Sequence, residues 1–162
     1  MKPESSLAKV LRFVGILFIA LTAATTILAG VGTTCVAFNP TGYGPKMALI
    51  APFQWLYILY VLLHTAVGVL GIRAVVLLAE GKKDSYKAAL LALVAGVVVG
   101  IVHMISSRSL RGSSMPVDGI VYITVLTLVI FLIFRIPAVW SGVDCSNAPR
   151  HAGKLSGGAA AI

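Results

Sequence analysis

Acidic side chains are nearly missing from this chain. Five Asp and Glu stand against thirteen Lys and Arg in 162 residues, and none of the five falls inside a long apolar stretch. A proton relay or cation-coupled carrier ordinarily depends on carboxylates within the membrane. A hydrolase built on two carboxylates needs a facing pair. Both are disfavoured. No Ser-His-Asp arrangement and no phosphate-binding glycine loop can be read from the sequence either. Cysteine is equally scarce. Cys35 and Cys145 do not have metal-site spacing, and a disulfide scaffold needs more of them. Only 11% of residues are charged, against about a quarter in a soluble domain.

What fills the chain is hydrocarbon: 59% of residues are hydrophobic and mean hydropathy is +0.99. Four apolar runs stand out, at about 11–31, 52–79, 86–107 and 119–136. A helix needs about 20 apolar residues, at ~1.5 Å each, to cross the ~30 Å hydrocarbon layer. Lipid offers no partners to exposed backbone groups, so the runs are expected as helices rather than open strands. The expectation is an all-α, integral membrane four-helix transmembrane bundle forming a single domain over 1–162. The first run follows basic residues, but its apolar core is too long for a signal peptide and reads as a retained helix. The segment 137–162 turns to Gly, Ala, Ser and charge and reads as a mobile tail.

Orientation follows from the basic residues. Lys2, Lys9 and Arg12 precede the first run, and Lys82, Lys83 and Lys87 join the second to the third. Arg150 and Lys154 follow the fourth, with Arg135 at its border. Lys46, Arg108 and Arg111 lie on the other side. The balance places both termini in the cytoplasm. It also places Cys35 and Cys145 on opposite sides as separate thiols. The formal charge of +8 is expected to meet anionic lipid head groups. A nucleic-acid role would need a folded basic surface, for which there is no room.

The first connection, Thr33 to Met47, is dense in Pro and Gly and reads as a turn-rich loop. Tyr43, Trp55, Tyr57 and Tyr60 near the start of the second run read as an interfacial aromatic belt, with Trp140 its counterpart on the other side. A quinone or lipid cleft is the alternative use of these rings. Arg73 lies about two turns from the end of its run and reads as a snorkelling side chain. On the third run, Ala88, Ala92, Gly96 and Gly100 recur every fourth residue. Such a stripe lets another helix approach closely, whether from the same chain or another.

Two histidines stand inside these runs. His64 shares a helix face with Gly68 and Gly71, and His103 shares one with Gly96 and Gly100. Measured from the connecting loop, their positions differ by two residues, or about 3 Å at ~1.5 Å per residue. Two imidazoles at one depth beside glycine-lined surfaces suit a b-type haem, with His64 and His103 as axial ligands to the iron. Arg108 and Arg111 would then meet its propionates. The competing use is structural. The same glycines serve helix contact, and intramembrane histidines serve as hydrogen-bonding glue. Zinc would lack ligands. The expectation is therefore a small non-catalytic subunit or assembly partner of a larger membrane complex, its partners being other membrane subunits or further copies of itself. A haem-binding electron-transfer subunit is the first alternative, and a small oligomeric pore or carrier the second.

Four crossings put Lys46 and Lys82 on opposite membrane faces. In a cysteine-free background, Lys46→Cys and Lys82→Cys are expected to react with an impermeant maleimide from opposite sides of sealed vesicles. Labelling of both from one side would remove the four-crossing topology.

Overall fold

The computed structural model describes residues 5–144. It is an all-α bundle, and among the described residues there is no strand. Among the described residues six α-helices follow in order: α1 Ser6–Phe38, α2 Pro45–Ala48, α3 Gln54–Ala79, α4 Ser85–Arg111, α5 Val117–Phe134 and α6 Pro137–Val143. The long helices α1, α4 and α5, together with α3 and the turn leading into it, are long and apolar enough to cross a membrane. They run up and down in alternation and close a ring, α1 against α3, α3 against α4, α4 against α5 and α5 back against α1. One end of the bundle carries the start of α1, the α3–α4 turn and α6. The other carries the α1–α3 and α4–α5 connections, and is called the loop end below.

Local sequence sets the helix ends. The Ser5 hydroxyl accepts from the Ala8 N–H at 3.2 Å, capping α1 five residues before the apolar run begins. At its other end α1 continues to Phe38, because Thr33, Thr34 and Cys35 tolerate helix and Thr34 returns a hydrogen bond to the Gly30 carbonyl at 2.8 Å. The turn-rich connection thus begins later than the sequence suggests and runs from Asn39 to Phe53. It consists of a 3-10 turn at Pro40–Tyr43, the single-turn α2, and a second 3-10 turn at Ala51–Phe53. Gly112 stops α4 with φ +69°, a left-handed conformation that glycine adopts without strain.

The bundle buries small and polar side chains beside apolar ones, and turns many large apolar side chains outward. Phe13, Leu28, Leu62, Val98 and Leu126 point outward, as a lipid solvent allows. Inside lie Thr22, Thr26, Thr124, Thr127, His64 and His103. Thr22 and Thr127 share a hydrogen bond of 2.8 Å between α1 and α5. An apolar cluster that includes Ile19, Ala74, Leu93 and Phe131 packs below them, and a smaller one of Ala37, Ile50 and Tyr57 packs at the loop end.

The small-residue stripe on α4 is used within the chain. A Cβ on Gly96 would touch Thr124 at 3.2 Å and Val67 at 3.4 Å, and one on Gly100 would stand 2.8 Å from Val121. Ala92 is buried beside them, whereas Ala88 is only half-buried at the edge, because the buried face runs through Ser85 and Ala89 instead. The glycines of α3 seat α1 in the same way. Gly68 lies under Ile27, and a Cβ on Gly71 would sit 2.8 Å from the Ala23 Cβ.

Two expectations need correction. The segment after Pro137 does not leave the bundle at once. Pro137–Val143 forms α6 and turns back onto α1, burying Gly142 and Val143. The Arg135 guanidinium lies 4.8 Å from the Trp140 ring centroid and 5.6 Å from that of Tyr86, a double cation–π contact that fixes this return. The remainder of the expected tail, and Cys145 with it, lies outside the described residues. The aromatic belt is also smaller than expected. Trp55 and Tyr43 are exposed, but Tyr57 and Tyr60 are buried at 3% and 2%, because their hydroxyls find serine partners on α4.

The α1–α3 contact at Gly71 leaves no room for even one methyl group. Gly71→Ala is expected to destabilise the detergent-solubilised protein by about 1–3 kcal/mol in equilibrium unfolding. The outward-facing Val69→Leu is expected to stay within about 0.5 kcal/mol of the parent.

Candidate ligand cavity and the buried histidine pair

The spacing Tyr57, Tyr60, His64 places three rings on one face of α3, opposite the Val102–Ser107 segment of α4. The matched depth read from the sequence becomes direct contact. His64 Nε2 and His103 Nδ1 are 3.0 Å apart, one donating and the other accepting. The His103 ring stacks on Tyr60 at 4.3 Å between centroids and meets the edge of Tyr57 at 5.6 Å. The Tyr57 hydroxyl pairs with Ser107 Oγ at 3.1 Å, and the Tyr60 hydroxyl with Ser106 Oγ at 2.7 Å. Both histidines are 1% exposed. Each of these contacts joins a polar group on α3 to one on α4, which lowers the cost of burying it.

This geometry does not fit a haem. An iron between two imidazoles needs about 2 Å on each side, hence roughly 4 Å between the nitrogens. The observed 3.0 Å leaves no place for it. Gly68, Gly71, Gly96 and Gly100, expected to relieve a porphyrin, are covered by Ile27, Ala23, Thr124 and Val121. Arg108, expected at a propionate, instead pairs with Asp118 at 3.3 Å and donates to Ser114 Oγ at 2.8 Å, and the Ser114 hydroxyl binds the same carboxylate. Among the described residues, no three His, Cys, Asp or Glu group to hold a metal. Arg73 is exposed on the outer flank of α3.

Beside the histidine pair lies a feature that sequence reasoning missed. Helices α1 and α5 touch in the half away from the loops, where Thr22 meets Thr127 and Gly15 lies under the Phe134 ring. Towards the loop end they separate. Between them is a cavity of about 350 Å³. Its α1 wall includes Leu28, Gly32 and Val36, and its α5 wall Val117, Gly119 and Ile123. Tyr57 and His103 form part of the back, and Met47 and Arg111 stand at the loop end. A Cβ at Gly32 or Gly119 would meet nothing within 4 Å, so both glycines border open space. Leu28, Gly32 and Gly119 are themselves exposed, which opens the cavity sideways between the two helices.

Arg111 is the unusual group here. Its Nη2 donates to the Met115 carbonyl at 3.2 Å and its Nη1 to the Met47 sulfur at 3.3 Å, but Nε is buried with no partner. The sequence signal was a basic pair, Arg108 and Arg111, facing a single nearby acid, Asp118. Asp118 forms its ion pair with Arg108, and Arg111 acts on it only at longer range. No family model matches this chain, and neither does any curated protein or solved structure.

The histidine geometry has a spectroscopic consequence. Protein purified from haem-replete cells is expected to show no Soret band. A band that vanishes on His64→Ala or His103→Ala would return both residues to the role of ligands.

Proposed function

We propose that this is a non-catalytic, multi-pass membrane protein that holds the apolar body of a membrane-dissolved amphiphile in the cleft between α1 and α5. The observation that carries this reading is the cavity itself. At about 350 Å³ it falls within the range of small-molecule sites, roughly 300–1,000 Å³, and it combines largely apolar walls with a few polar groups, Arg111 among them at the loop end. Its opening lies between helices rather than towards water, so a ligand would enter from the bilayer. Catalysis has little support. His103 Nδ1 is taken by His64 rather than by an orienting carboxylate, and Asp118 is engaged by Arg108 and Ser114.

Membership of a larger complex has narrower support. The stripe that would have served docking is buried against Val67, Val121 and Thr124 of the same chain. A pore through one chain is opposed by the Thr22–Thr127 contact and by Ile19 and Phe131, which fill the bundle beyond the cavity.

Photolabelling tests the reading. A diazirine-bearing hexadecanol in reconstituted vesicles is expected to label 25–36 and 117–123 well above the outward faces at Leu62 and Val98. Gly32→Leu combined with Gly119→Leu fills the open space and is expected to remove that excess while leaving thermal unfolding unchanged. Equal labelling of cavity and outward faces would refute the reading.

A further inference from the structure

Arg111 allows the ligand to be described more closely, an inference that rests on the cavity just proposed. We propose that the occupant is a single-chain amphiphile with a carboxylate head, seated with that head on the Arg111 guanidinium and its chain running down between α1 and α5.

The argument starts from charge. Arg111 closes α4 at the loop end, next to the left-handed Gly112, and lines the cavity. Its three nitrogens meet a carbonyl, a thioether and nothing. A thioether is a weak acceptor, and an unpartnered buried N–H carries its full desolvation cost. Arg108 has drawn Asp118 into a pair at 3.3 Å and Ser114 into the same cluster, so Arg111 has no ion pair among the described residues. A cation at the edge of a low-dielectric cavity calls for an anion, and a guanidinium edge matches the two oxygens of a carboxylate. Met47, on the short α2, is the group that such a head would displace.

Size selects the rest. A volume of about 350 Å³ lies near the lower limit for ligand sites, which suits one chain and not the two chains of a phospholipid. The walls below Arg111 offer Leu28, Val36, Val117 and Ile123 to that chain. A neutral quinone head would supply no countercharge to Arg111, which has only the longer-range field of Asp118.

The test compares head groups on one chain length. Diazirine-bearing palmitate is expected to label the cavity segments about tenfold or more above diazirine-bearing hexadecanol, the ratio that one charge-assisted hydrogen bond confers. Arg111→Gln is expected to bring the two probes to equal labelling, and Arg111→Lys to restore part of the preference. Thermal unfolding of each variant checks that it folds. If Arg111→Gln does not fold, competition between unlabelled palmitate and hexadecanol on the parent protein still decides the matter. Equal cavity labelling by both probes would overturn the carboxylate assignment and leave the cavity reading standing. Stronger displacement by a lysophosphatidate than by palmitate would replace carboxylate with phosphate. Labelling without any excess in the cavity would remove both readings.

Discussion

A bilayer gives a buried polar side chain no water to bond with, and the contact between His64 and His103 is the plainest answer to that constraint. At 3.0 Å it joins α3 to α4 in the middle of the bundle. The tyrosine–serine pairs extend the same seam towards the loop end, and Thr22 with Thr127 repeats the device between α1 and α5. Hydrophobic burial cannot hold these helices together, because lipid tails are as apolar as their side chains. Close packing and matched hydrogen bonds take its place. The glycines serve the first, and the His, Thr, Tyr and Ser side chains serve the second.

These two devices are spread unevenly. The α3 helix is bound closely on both sides, by Gly68 and Gly71 to α1 and through its rings to α4. The α4 helix meets α5 through Gly96 and Gly100. Only the α1–α5 side lacks such a seam beyond Thr22 and Thr127, since Gly32 and Gly119 face open space. The cavity lies where the bundle's adhesives run out.

Much of the fold was legible. Lipid forces long apolar runs into helices, so their number and order followed from hydropathy, and equal depth brought the two histidines together. Other features depended on context that one chain does not display. Whether Gly96 and Gly100 serve a neighbouring chain or the same one is a matter of which helix arrives, and periodicity is silent on it. Tyr57 and Tyr60 resembled interfacial anchors because their position along the helix fits that role. Their spacing with His64, three and then four residues, was the sign that they face inward. The α1 helix outran its apolar core at both ends, with a serine cap at its start and Ala37 packed with Ile50 and Tyr57 at its end. The cavity was invisible, since an absence of contact between two helices leaves no pattern in either.

The unequal lengths of the two helices flanking the cleft have a mechanical consequence. The α1 helix has 33 residues and α5 has 18, or about 50 Å and about 27 Å at ~1.5 Å each. The longer one exceeds a ~30 Å hydrocarbon slab and either leans or projects beyond it, whereas the shorter one nearly matches it. Thr22 and Thr127 are where the two helices meet, so a change in the angle between them would alter the width of the cleft on the loop side of that contact.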